Sequence, residues 1–218
     1  MFPSVYAIVD AGSAGDRPVE LAEQLAEAGV ELIQYRDKLA TPRRLFETCS
    51  KLAARLRGRA RFIVNDRADV AVLCDAGGVH VGQEDLSAED ARAICGGGRW
   101  VGVSTHNIEQ FRAALETSAD YIAVGPVFAT ATKKNPDPVV GLDLVARARA
   151  MTRKPIVAIG GITAENADSV YRAGADSIAV IRDLMASGKP GARAAEYLRI
   201  AAKVRSARDT SSNSGERH

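Results

Sequence analysis

The chain has 218 residues, a formal charge of +2 from 29 Lys and Arg against 27 Asp and Glu, three cysteines, and 46% hydrophobic residues of which few are aromatic. That length suits one domain with a full core or at most two small ones, and the near-neutral charge argues against a general nucleic-acid binder, whose affinity rests on many phosphate contacts. No apolar run approaches the roughly 20 residues of a membrane helix, no signal-peptide pattern opens the chain, and Cys49, Cys74 and Cys95 form no CxxC pair. The expectation is one globular domain in a reducing cytoplasm, without a disulfide framework or a zinc site.

In chain order, short runs rich in Val and Ile alternate with segments of helical spacing. The runs are 5–9, 31–35, 61–65, 78–82, 100–104, 121–128, 155–162 and 177–181, each four to eight residues long, as strands buried on both faces should be. Between them Leu21, Leu25 and Ala28, then Leu45, Cys49, Leu52 and Leu56, then Ile108, Phe111 and Leu115, and finally Tyr197, Ala201 and Val204 form apolar stripes. Eight strands, each followed by a helix, make a closed (β/α)8 barrel over residues 1–205. The competing open, doubly wound sheet lacks its GxGxxG after the first strand. One connection is long, residues 129–140 after the sixth strand, and residues 206–218 are polar and free of aromatics, which reads as a disordered tail.

In such a barrel the active site lies where the strands end. The polar residues there are Asp10; Gln34, Arg36 and Lys38; Asn65 and Asp66; Gln83, Glu84 and Asp85; Ser104, Thr105 and His106; Thr130, Thr132, Lys133 and Lys134; then Gly160–Gly161, and finally Arg182 and Asp183. Gln34, Arg36 and Lys38 alternate, so their side chains leave one face of an extended segment. Two cations and an amide there call for an anion such as phosphate or pyrophosphate, the alternative being an ion pair with Asp37 or Asp66. Asp66 and Asp85 end adjacent strands and resemble the sparse carboxylate ligation that Mg²⁺ prefers, although each could instead cap the helix that follows it. The glycine pair suits a second phosphate held by backbone N–H groups, or simply ends a strand. His80, within the fourth strand, reads as a packed core residue, and His106 has no evident acid–base partner. The run Arg43 to Arg61, with seven cations and one acid, reads as a solvated helix face, and Trp100 as packing at the lower end of the barrel.

QYRDK (34–38), ND (65–66), GVHVGQEDL (78–86), GVSTH (102–106), GPVFATATK (125–133) and IGGI (159–162) together resemble the thiamine phosphate synthase family, in order from about Tyr6 to Leu184. The resemblance implies a transferase that joins hydroxymethylpyrimidine diphosphate to hydroxyethyl-methylthiazole phosphate, releasing pyrophosphate. It implies that Gln34 contacts the pyrimidine, that Arg36, Lys38, Asn65, Ser104 and Lys133 hold the diphosphate, and that Arg36, Lys38 and Lys133 neutralise its departure. It further implies that Asp66 and Asp85 carry Mg²⁺, that Thr130 and Thr132 meet the thiazole, and that Gly161 and the Ile181–Arg182 turn receive the thiazole phosphate. Arg182 departs from the family, whose members commonly carry Ser there.

Two rivals share the barrel. A thiazole tautomerase needs neither Mg²⁺ nor a diphosphate site, so Asp66, Asp85, Lys38 and Lys133 speak against it. A non-catalytic, phosphate-sensing barrel leaves the full constellation without a purpose, as does a sugar-phosphate epimerase. The implied partners are small phosphorylated molecules rather than nucleic acid or membrane, and a homo-oligomer is compatible with the sequence.

Overall fold

Strands whose side chains are apolar on both faces need cover on both, and here the inner cover is the opposite wall of the same sheet. The computed structural model describes residues 1–130, 137–186 and 188–214. Its strands are β1 (Val5–Asp10), β2 (Leu32–Arg36), β3 (Arg61–Asn65), β4 (Gly78–Val81), β5 (Trp100–Thr105), β6 (Tyr121–Val124), β7 (Ile156–Ile159) and β8 (Ser177–Val180). Each runs parallel to the next, and β8 pairs with β1, closing the ring in sequence order. Around it lie α1 (Ala11–Ala14), α2 (Pro18–Glu27), α3 (Pro42–Leu56), α4 (Ala68–Leu73), α5 (Ala88–Cys95), α6 (Ile108–Leu115), α7 (Gly141–Met151), α8 (Ala167–Arg172), α9 (Arg182–Ala186) and α10 (Pro190–Ser214). This is the expected (β/α)8 barrel, with the short α1 and α9 added between a strand and its main helix.

The two-residue period of a strand sorts the core into two parts. Val5, Ala7 and Val9 of β1, with Ile33 and Tyr35 of β2, point outward into the layer shared with helices, where the expected stripe residues Leu25, Leu52, Phe111 and Tyr197 are buried. Tyr6 and Ile8, with Leu32, Ile63, Tyr121, Ala123, Val157 and Ala179, fill the barrel itself. At its N-terminal end Phe2 stacks on Trp100 with ring centroids 5.2 Å apart, and the Arg61 guanidinium lies 4.0 Å from the Trp100 ring centroid. Gly102 is bare because Tyr121 needs its space: a Cβ there would sit 2.1 Å from the Tyr121 ring.

Two strands end sooner than the apolar runs suggest. Past Val124 the chain turns at the cis Gly125–Pro126 peptide and lies across the end of β7, with Val127 N donating to Ile159 O and Phe128 N to Gly160 O. Gly160 and Gly161 stop β7 with φ of 101° and 62°, and a Cβ on Gly161 would meet Ala129 O at 2.4 Å. The segment expected to be a disordered tail from residue 206 continues the backbone of α10 as far as Ser214. No Pro or Gly interrupts 192–214, and extending an existing helix costs little. Arg205 donates to Phe2 O and Asp176 O, and Arg208 to Tyr171 O, tying the helix to the barrel. No helix among the described residues is long and apolar enough to cross a membrane.

Candidate active site

The inward-pointing residues of the last strand layer, and the loops that leave it, enclose a cavity of about 550 Å³. That is within the usual size range for a small-molecule site. Gln34, Arg36, Lys38, Asn65, Asp66, Asp85, Ser104, Thr130, Gly161, Ile181 and Arg182 all line it. Thr132 and Lys133 lie outside the described residues.

The charges at the mouth hold one another in place. Asp10, facing Arg36 in the β1–β2 register, accepts from its Nη1 at 2.6 Å and also caps α1 through Gly12 N. Asp37, the partner considered from sequence, instead organises its own loop, accepting from Leu39 N, Ala40 N and the Tyr35 hydroxyl. Lys38 Nζ lies 3.1 Å from Asp66, the ion pair that sequence left open beside ligand binding.

Neither carboxylate of the Asp66–Asp85 pair is a helix cap. Asp66 adopts φ of 63°, a left-handed conformation that Asp tolerates better than most residues, and its N–H donates to His80 O. The residue directly before α4 is Arg67, and α5 is capped by Ser87, which accepts from Asp90 N. Asp85 turns back to accept from Gly82 N at 2.8 Å. Burial pushes the Asp66 carboxyl above the usual carboxylate range, and a hydrogen bond shared with Asp85 pushes it the same way, against the opposing pull of Lys38. Two oxygen-bearing acids that repel when both are ionised are short of positive charge, and a hard divalent cation relieves that. No group of three His, Cys, Asp or Glu suited to a metal occurs among the described residues, so any ion here would complete its shell with water and ligand oxygens.

Sequence alone leaves Tyr6 and Asp137 out of the site and gives His80 and His106 no part in it. Tyr6 and His80 line the floor, and burial moves their pKa values in opposite senses: the Tyr6 phenol up, the His80 imidazole down to about 4. His106 has partners after all, with Nδ1 2.6 Å from Gly125 O and Nε2 3.6 Å from Asp137, itself a lining residue. Tyr6 was findable, because it shares the inward phase of Ile8 and Asp10. Asp137 was not, since nothing periodic places a residue at the far end of a long loop. His80 is buried and hydrogen-bonded, as read; of the seven cations in the 43–61 run, Arg43, Arg44, Lys51, Arg55, Arg57 and Arg59 are exposed, whereas Arg61 is half-buried against Trp100 and donates to Gly77 O.

Residues 5–184 match the family described as thiamine monophosphate synthase. The chain belongs to that family. A thiamine-phosphate synthase of Koribacter versatilis is 48% identical over 203 residues, 91% of this chain and 95% of its own. One of Gloeobacter violaceus is 43% identical over 83% of this chain, which spans 53% of that longer relative. Among solved structures, a thiamine phosphate pyrophosphorylase from Pyrococcus furiosus superposes with a TM-score of 0.84 at 34% identity, covering 92% of this chain and 96% of its own. As a member of the thiamine monophosphate synthase family, this protein is an enzyme, a transferase of thiamine biosynthesis.

Proposed function

We propose that the protein joins hydroxymethylpyrimidine diphosphate to hydroxyethyl-methylthiazole phosphate in a Mg²⁺-dependent reaction that yields thiamine phosphate and pyrophosphate. Family membership supplies the reaction, and one observation carries it to these residues: Arg36 and Lys38 share a single cavity with the Asp66–Asp85 pair. Asp66 and Asp85 would hold Mg²⁺, which when bound supplies positive charge to the departing diphosphate.

The remaining work falls to the chain's own side chains. Arg36 offers a fork of donors and Lys38 a point charge, so together they neutralise the negative charge that builds as the C–O bond to the diphosphate breaks. Asn65, Ser104 and Lys133 add donors to the same group. The pyrimidine methylene is left cationic, stabilised by its own electron-rich ring, with Gln34 orienting that ring. The thiazole nitrogen attacks this carbon through its lone pair. That nitrogen carries no proton to remove, so no general base is needed, and the protein contributes placement and charge. Thr130 and Thr132 position the thiazole, while backbone groups at Gly161, Ile181 and Arg182 take its phosphate.

The test is formation of thiamine phosphate and pyrophosphate from the two purified substrates, with Mg²⁺ and with EDTA. Metal-dependent product, lost in Asp66→Ala and Lys133→Ala, supports the reading. Binding of either substrate without turnover by the parent chain overturns it.

A further inference from the structure

Along the floor of the cavity, five polar side chains form an unbroken chain whose two ends are residues of the proposed substrate site. Gln34 Nε2 donates to the Tyr6 hydroxyl at 2.7 Å, and the Tyr6 and Tyr121 hydroxyls lie 2.9 Å apart. The Tyr121 hydroxyl is 3.1 Å from His80 Nδ1, and His80 Nε2 is 2.9 Å from Ser104 Oγ. The three middle members are buried, with exposures of 1% for Tyr6, 0% for Tyr121 and 8% for His80. None of them has a part in the chemistry above.

Such a chain has a direction, because each phenol carries one hydrogen and each buried polar group needs a partner. With the Gln34 amide N–H on the Tyr6 oxygen, the Tyr6 hydrogen goes to Tyr121 and the Tyr121 hydrogen to His80 Nδ1. The imidazole then carries its proton on Nε2 and gives it to Ser104 Oγ. Ser104 is left with its own hydrogen free for the cavity. In the opposite direction Gln34 would present its carbonyl to Tyr6, and His80 would carry its proton on Nδ1. Ser104 would then spend its only hydrogen on Nε2 and turn lone pairs toward an anion. The two directions therefore differ in whether Ser104 attracts or repels a diphosphate.

We propose that Tyr6, Tyr121 and His80 are positioning residues that fix the direction of this chain, holding Ser104 as a hydrogen-bond donor to the diphosphate and Gln34 with its Nε2 turned away from the pyrimidine. The inference rests on the reading above and deepens its diphosphate side. It makes the barrel interior, rather than the mouth alone, a determinant of which substrate group Ser104 can bind. Gly102 belongs to the device, since its missing side chain gives the Tyr121 ring room to reach the line between Tyr6 and His80.

Two measurements test it. The first is ¹⁵N imidazole NMR on the full-length parent, which has three histidines, with the His80 signal assigned from its loss in His80→Gln. The expected result is the Nε2–H tautomer, and the Nδ1–H tautomer overturns the proposal. The second is steady-state kinetics of Tyr121→Phe, which keeps the ring and removes the link. The expected result is a KM for the pyrimidine diphosphate raised about tenfold, with the KM for the thiazole phosphate within about twofold of the parent. An unchanged diphosphate KM, or equal rises for both substrates as a general loosening would produce, overturns it. His80→Gln, which returns an N–H to the place of Nε2, should recover much of the diphosphate affinity that His80→Leu loses. If the parent chain makes no thiamine phosphate, the functional reading fails, and the direction of the chain still stands or falls on the tautomer.

Discussion

Asp66 is held in an uncomfortable state. Its backbone is left-handed, and its carboxyl is driven upward first by burial and then by the hydrogen bond shared with Asp85. A carboxyl raised on folding binds its proton more tightly in the folded chain, so its contribution to stability is lost as pH rises from the unfolded value through the raised one. Asp66→Asn removes that penalty. The variant should melt at a higher temperature than the parent at pH 7 in EDTA, and the gap should narrow when Mg²⁺ is added, because an ion bound only to the folded parent stabilises it by mass action. A parent that melts identically with and without Mg²⁺ would contradict the metal assignment. Arg182 poses the opposite case. It is an exposed cation that lines the cavity and forms no ion pair with a described residue. Arg182→Ser, the residue commoner in the family, should raise the KM for the thiazole phosphate about three- to fivefold and leave the diphosphate KM alone, the scale expected of an exposed charge contact. An unchanged thiazole KM would show that the side chain has no part in the site.

At the scale of elements, the strand ends were legible and the turns were not. The alternation of Gln34, Arg36 and Lys38 read directly as one face because a strand's side-chain period is two, and all three do line the cavity. The same period would have marked Tyr6 on β1 and Tyr121 on β6, which both point into the barrel. The end of β6 could not be read, since the apolar run continues to Phe128 while the backbone turns at Gly125 and docks on β7 through Val127 and Phe128. Nor could the role of Gly102 be seen, because the ring that fills its space comes from the neighbouring strand. Gly102→Ala therefore makes a sharp test of interior packing. It should cost about 2 kcal/mol or more in urea denaturation, since a methyl group would displace Tyr121, and the loss of diphosphate affinity expected for Tyr121→Phe should accompany it. A silent substitution would mean that the interior yields more readily than close packing allows.

For the whole molecule, the barrel's closure buries an imidazole that must not take up a proton. Burial is the main reason the His80 pKa falls from 6.5 to about 4, partly opposed by the charge of Asp85. Between those values the unfolded chain binds a proton that the folded chain does not, so stability from this group is complete above pH 6.5 and lost as pH falls toward 4. The gap corresponds to about 3 kcal/mol at most. Urea midpoints at pH 7.5 and pH 5 should therefore differ more in the parent than in His80→Gln, and equal differences would show that other groups set the acid limb.

The sequence by itself determined what depends on local periodicity and order. Eight β-branched runs alternating with amphipathic stripes admit few architectures, and right-handed parallel crossovers bring every strand end to one mouth. That is why Arg36, Lys38, Asn65, Asp66, Asp85 and Ser104 gather there on the strength of sequence order alone. Only the tertiary structure decided which charge holds which. Asp10 with Arg36 and Lys38 with Asp66 each span two strands, and the Tyr6–Tyr121 contact joins residues 115 apart in the chain. Those pairings depend on strand register and on the closure of β8 against β1, which set distances across the barrel that no local pattern encodes.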